Sequence, residues 1–279
     1  MFVILLRVQP HFAGLTLKFS WRWSLVAVSS LLISVLLRGP FFETPPAVNS
    51  LLHLVSVILL LTPPVSTLGA RNPGSSAWQV FVVMPLIIVL LWPGLSDLIS
   101  SRGQEPLRLG VPAFWGLCLV LMMSMSTCLG TSLTVASLFF FSAISLGLCP
   151  AMGWMHLASP WQSAVPFLLF CGAWSGAKSI RSKDRATKMA STKSELVDAS
   201  WSLFQDLYGL VWAKRIQDRV NHFAARENWS VLLTHEGFRD GNGSSPSDQD
   251  LEKPREALRW VLTRFADDQW ISEKLFRLG

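Results

Sequence analysis

The sequence predicts an all-α protein, a polytopic transmembrane helix bundle of about six spans with a C-terminal cytoplasmic helical tail. Three observations predict it. Of 279 residues, 51% are hydrophobic and only 15% are charged, with a mean hydropathy of +0.40, whereas a water-soluble domain carries about 25% charged residues. The charges are segregated: residues 1–176 hold seven Lys/Arg and three Asp/Glu, and residues 177–279 hold the other 17 and 15. Finally, residues 109–177 form an uncharged stretch of 69 residues, which accommodates three spans of roughly 20 residues each. High apolar content and the lack of a glycine period exclude a disordered or collagen-like chain.

Residues 1–20 read as an N-terminal cytoplasmic or interfacial segment. Met1-Phe2-Val3-Ile4-Leu5-Leu6 lacks the leading positive charge of a cleavable signal, so the first apolar segments are expected to be retained. The transmembrane region covers 21–177. Its first span, about 23–38, has an apolar portion of 15 residues, short of the usual ~17–25. Arg22 and Arg38 flank it and reach toward water, and Phe19, Trp21 and Trp23 suit a membrane–water boundary. The second span, 47–68, is broken by Pro63-Pro64, which leaves 15 apolar residues before the break. A re-entrant 47–70 and five spans is the alternative threading. The third span, 77–98, draws its apolar part, Trp78–Trp92, from an uncharged run of 25 residues at 72–96, with a kink expected at Pro85. Spans four to six, 112–129, 132–148 and 161–176, are divided by Gly130-Thr131 and by Pro150, Gly153, Ser159 and Pro160. Pro73-Gly74 marks a turn between the second and third spans, placing Arg71 in a loop and Trp78 at the interface. With six spans, nine Lys/Arg fall inside and three outside, so both termini are expected to be cytoplasmic.

Chemistry within the membrane is sparsely provided for. His53 and Asp97 sit near span boundaries, and the last three spans carry no charge, whereas ion and proton pathways are marked by ionisable groups at depth. No HExxH or GxSxG occurs. Cys118, Cys128, Cys149 and Cys171 lie in apolar runs without CxxC spacing, so neither zinc nor a disulfide framework is indicated. The sulfur-rich run Cys118, Met122, Met123, Met125 and Cys128, with Met152, Met155 and His156 beyond, reads as packing filler rather than a copper site. Catalytic, cofactor and metal-ligating residues are not assigned. Small residues do stand out: Gly172 and Gly176 in the sixth span, and Ala143 and Gly147 in the fifth, are spaced for close helix packing.

The segment 178–193 is a basic juxtamembrane run. Lys178, Arg181, Lys183, Arg185 and Lys188 surround a lone Asp184 and are expected to meet anionic lipid headgroups of the bilayer. The cytoplasmic tail, 194–279, starts with a capping box, Thr192-Lys193-Ser194-Glu195. Leu196, Val197, Trp201, Phe204, Tyr208, Val211, Trp212, Ile216, Val220 and Phe223 then recur every three or four residues as one stripe. Asp198, Gln205, Asp206, Lys214, Asp218, Arg219 and Arg226 occupy the opposite side. The stripe must be covered by the tail's later elements, by membrane or by a protein; Trp201, Phe204, Tyr208, Val211, Trp212 and Ile216 are the candidate docking residues for a protein partner or a second copy. A short strand or irregular piece near 229–238, a flexible linker at 240–249 and a second helix opened by Pro254 follow, with a break at Asp267-Asp268. Bases and acids nearly balance in the tail, so nucleic acid is not an expected partner. The function this supports is a non-catalytic membrane scaffold or partner-docking component. The alternative is a permease or transporter component, with Ser56, Ser66 or Gln79 lining a polar cavity at Pro63-Pro64 and Pro85. An intramembrane enzyme is the third reading.

Overall fold

The computed structural model describes residues 1–38, 44–71, 76–100, 107–152 and 161–277. The expected turn at Pro73-Gly74 and the Met155–His156 loop lie outside the described residues. The apolar segments condense into helices: α1 (Phe2–Val8) with a 3₁₀ turn (Gln9–Phe12), α2 (Lys18–Leu37), α3 (Pro46–Leu68), α4 (Met84–Ser100) preceded by a π turn (Gln79–Val83), α5 (Val111–Ser126) and α6 (Thr134–Leu148). Next come α7 (Trp161–Met189), α8 (Lys193–Arg226), the hairpin β1 (Val231–Leu233) and β2 (Phe238–Asp240), α9 (Asp248–Leu262) and α10 (Asp268–Leu275).

Among the described residues, four helices are long and apolar enough to cross a membrane: Lys18–Leu37, Pro46–Leu68, Gln79–Ser100 and Thr134–Ala151. The apolar helix Val111–Ser126 is shorter, at 16 residues. The third of the four spans turns Phe81, Val89, Trp92 and Ile99 outward, with Phe81 and Ile99 each 78% exposed. Such a belt is stable only where the surroundings are themselves apolar. α3 is the central helix: over half of its apolar window (56%) is buried, against 17% for the third span. Its neighbours are α2, α4, α5 and α6.

The first two spans are longer than their apolar cores suggested. α2 starts at Lys18 and takes in Phe19, Trp21 and Arg22. α3 does not stop at the prolines; both Pro63 and Pro64 lie inside it. Pro63 cannot donate to the Leu59 carbonyl, but the Thr62 hydroxyl does so instead, at 2.7 Å. The Pro63 carbonyl in turn accepts from the hydroxyls of Ser20 and Thr67. The kink expected at Pro85 takes the form of the π turn just before it, whose wider hydrogen-bond ring makes room for the proline.

Small residues set the close contacts. A Cβ on Gly172 would lie 3.2 Å from the Ala136 carbonyl and 3.3 Å from Phe139, so α7 lies backbone-close on α6 there; Gly176 faces Ala136 one turn on. Ala143 is fully buried, and Gly147 abuts Val57 and His53. The His53 ring lies between α3 and α6, its Nε2 donating to the Gly147 carbonyl at 2.8 Å.

The tail departs from expectation in four places. The basic run is not a separate segment, because α7 continues to Met189 without interruption. α8, opened by the expected capping box at Thr192 and Glu195, is broken at Gly209 (φ 79°, ψ 171°). The stretch expected to be a flexible linker is a turn built on Asp240, whose carboxylate accepts from the backbone N–H of Asn242 and Ser244. Ser247, not Pro254, opens α9: its side chain accepts from the Asp250 N–H, and Pro254 lies inside the helix. Asp267 caps α10 by accepting from the Trp270 N–H at 2.8 Å.

Candidate functional site at the junction of tail and bundle

The aromatic stripe of α8 is the core of the tail. Trp201, Phe204, Tyr208, Trp212 and Ile216 are all buried; of the six residues expected to offer a docking face, only Val211 is exposed. Trp201, Phe204 and Tyr208 stack in succession, at 5.8 and 4.5 Å between ring centroids. Phe265, just after α9, meets Phe204, Tyr208 and Trp212 edge-on at 5.2–5.5 Å. The stripe is thus covered by the chain's own later elements, as the hydrophobic drive requires when α9 and α10 present complementary apolar faces. The polar side of α8 is not free either: Gln205 and Asp206 are buried, because the first half of the helix is enclosed between the tail core and the bundle.

Three sets of contacts fix this enclosure. The first is a strap from the N-terminal segment. Leu15 pairs with Ala266 across a β-bridge, Thr16 N–H donates to the Phe265 carbonyl (2.9 Å), and Asp267 N–H donates to the Gly14 carbonyl (2.8 Å). The Thr16 hydroxyl donates to the Ala70 carbonyl (3.0 Å) at the end of α3 and lies 2.9 Å from the hydroxyl of Tyr208, the single tyrosine. The Tyr208 hydroxyl donates to the Phe265 carbonyl at 2.7 Å. Burial pushes the Tyr208 phenol well above its ordinary value, against the Thr16 hydrogen bond, so it stays neutral and keeps its proton for that carbonyl. N-terminal segment, α3 and tail therefore meet on one side of the bundle.

The second set joins α8 to the loop between α5 and α6. The Asp206 carboxylate accepts from the Ser132 N–H (2.9 Å) and from its hydroxyl, which also meets Ser179 on α7. One turn on, Leu210 N–H donates to the Thr127 carbonyl at 3.0 Å. That carbonyl sits where a Gly209 Cβ would be, only 2.4 Å away. The break in α8 is the imprint of the bundle end on the tail.

The third set lies around Asp184 in α7, which lines a cleft of about 350 Å³ with His11, Lys188, Asp267, Trp270 and Lys274. Asp184 and Lys274 are both buried and 2.6 Å apart; Lys188 is 3.1 Å away and His11 Nε2 3.7 Å. Burial acts to raise the Asp184 carboxyl, but hydrogen bonds and attraction from the Lys274 and Lys188 ammonium groups outweigh it and hold the pKa below the usual carboxylate value. Asp184 thus faces the cleft as a carboxylate.

Of the residues expected to face lipid headgroups, Lys178 and Arg185 are exposed and Arg181 is half-buried. Lys183 donates to the Ser202 hydroxyl and Lys188 pairs with Asp184, so both also serve the junction. Within the bundle, Ser56, Ser66 and Gln79 close on protein partners: Ser56 on Ser30 and the Leu52 carbonyl, and Gln79 on both Ser66 and the Trp23 indole N–H. The cavity beside Pro63-Pro64, about 280 Å³, is lined by apolar groups such as Leu60, Phe140 and Leu169.

Sequence reasoning did not single out Thr16 or Gly209, and placed Asp206 only on the polar side of α8. An isolated glycine inside a strong helical period was the available signal for Gly209. Thr16 and Asp206 carry no local signal, since their partners lie 192 and 74 residues away. Comparison with known protein families, curated proteins and solved structures finds no match.

Proposed function

We propose that this chain is a six-span membrane protein with both termini in the cytoplasm, and that it acts as a non-catalytic scaffold, holding a folded cytoplasmic module at a fixed pose on the end of its bundle. The observation that carries this reading is the triple attachment of the module, by the Thr16–Tyr208–Phe265 strap, the Asp206–Ser132 and Gly209–Thr127 latch, and the buried Asp184–Lys274 pair. A tether needs none of these; a platform that presents a surface at constant height and orientation needs all of them. The strap also supports the even span count, because it puts residues 14–17 and 265–267 at one face. Exposed Lys178 and Arg185 add attraction to anionic lipid of about 1 kcal/mol per base near the surface.

Topology is tested by reporters fused after Arg71 and after Gly279; both should report cytoplasm, and opposite readings refute six spans. The fixed pose is tested by spin labels on exposed Asp218 and Ser126 of the full-length protein in lipid nanodiscs. One narrow distance distribution is expected, and a broad one refutes the platform. The scaffold role itself is tested by cross-linking in native membranes. The outer face of the module should join reproducibly to one other polypeptide, and a chain linked only to itself refutes that role.

A further inference from the structure

One face of the junction carries positive charge that none of the attachments uses. Two cavities, about 510 and 320 Å³, share Arg71, Trp212 and Arg215 and so form one groove. Arg219, Arg264 and Trp260 line one end, and Gly69 and Trp78 the other. Among the described residues, four arginines and no carboxylate line it, and none of the four is in an ion pair. The nearest acid in sequence, Asp218, is taken by Lys214 at 2.8 Å. Three of the guanidinium groups instead rest on aromatic faces: Arg215 5.0 Å from Trp212, Arg264 5.8 Å from Trp260 and Arg219 5.0 Å from Phe223. A guanidinium resting on a ring keeps its N–H donors available, and a planar fork of donors suits phosphate oxygens.

The depth of the groove is set by the bundle. α3 ends at Leu68 and the next apolar helix starts at Gln79. Gly69 and Trp78, just beyond those ends, form the groove wall. The Trp78 indole N–H is tied to the Val65 carbonyl (3.1 Å) and that of Trp212 to the Thr67 carbonyl (3.3 Å). The arginines therefore lie where an apolar span gives way to a polar layer, the level of lipid phosphates. Immediately past Trp78, Val80 and Phe81 are 54% and 78% exposed, an apolar surface on the membrane side of a cationic one.

We propose that the Arg71–Arg215–Arg219–Arg264 groove binds a phosphate anion, supplied by the headgroup of an anionic phospholipid whose acyl chains run along the surface begun by Val80 and Phe81. The inference rests on the membrane reading of the bundle but not on the scaffold role. The test is native mass spectrometry of the full-length protein released from nanodiscs of phosphatidylcholine with phosphatidylglycerol. The wild type should retain phosphatidylglycerol selectively, with apparent affinity falling roughly fivefold for each arginine changed to glutamine. A control with Lys193, Arg226, Lys253 and Arg259, none of which lines the groove, changed to glutamine removes equal charge elsewhere and should keep the bound lipid. Equal loss in both variants means diffuse attraction and overturns the site, as does unselective retention. Displacement of the lipid by millimolar inorganic phosphate would assign the groove to a soluble phosphate and overturn the lipid source. Since all four side chains are exposed, folding is checked by monodispersity, and Arg215→Gln alone serves if the fourfold variant aggregates. None of these outcomes depends on whether a protein partner exists.

Discussion

Replacing Gly209 with alanine isolates the attachment of tail to bundle from the stability of either part. At φ 79°, ψ 171° the backbone is in a region open essentially to glycine, and an L residue held there costs about 1–3 kcal/mol. The new methyl would also overlap the Thr127 carbonyl at 2.4 Å, so the contact must separate and the Leu210–Thr127 hydrogen bond is lost, at about 1 kcal/mol. The sum is about 3 kcal/mol, or roughly a hundredfold in the ratio of docked to open tail. The penalty is escaped if residue 209 becomes helical and α8 straightens, which swings its second half away from the bundle. The expected result is faster amide exchange at Ser132, whose N–H donates to Asp206, together with proteolytic sensitivity near residues 127–133, while the buried cluster around Trp201 and Phe204 stays protected. Gly241→Ala, with nothing near its added methyl, is the control. If Gly209→Ala leaves exchange at Ser132 unchanged, the bundle does not hold α8 broken and the docking argument fails.

Other perturbations probe the remaining attachments. Trp201→Ala should cost about 3–5 kcal/mol and unfold the tail; a tail that keeps its melting temperature would show that Trp201 is a surface residue. Tyr208→Phe removes one of two bonds to the Phe265 carbonyl and leaves the Thr16 hydroxyl its bond to Ala70, so it costs about 1 kcal/mol and should accelerate exchange at the Thr16 amide. Asp184→Ala leaves the buried Lys274 with only the half-exposed Glu273 at 3.2 Å and should destabilise the junction by about 1–3 kcal/mol, much of it recovered by also replacing Lys274 with methionine. Because the folded pKa of Asp184 is depressed, its contribution is complete above the unfolded value near ~3.9 and is lost as pH falls through the folded one. Acidification below about pH 4 should therefore open the His11 side of the cleft in the wild type and have little further effect in Asp184→Asn, as read by proteolysis at residues 10–14.

Much of the helix inventory was legible because it follows from local rules. The capping box at Thr192 and Glu195 is local and forms as read. The span limits were less legible: whether Pro63 ends a helix depends on whether the Leu59 carbonyl it orphans finds another donor, and the neighbouring Thr62 hydroxyl supplies one, while Ser20 adds a bond to the Pro63 carbonyl from α2. The tail stripe shows the same division. Its period identified the apolar side of α8, but period alone is blind to what covers that side, and here Phe265 and its neighbours do.

Solvent preference is additive over residues, so the sequence alone determined that the front of this chain forms oil-compatible helices and that its last third forms a polar helical module. Tertiary structure decided where that module sits. A hydrogen bond from Thr16 to Ala70, a carboxylate aimed at Ser132 and a carbonyl lodged against Gly209 join residues tens of positions apart. Such pairings are fixed by packing in three dimensions, and no periodicity in one dimension encodes them.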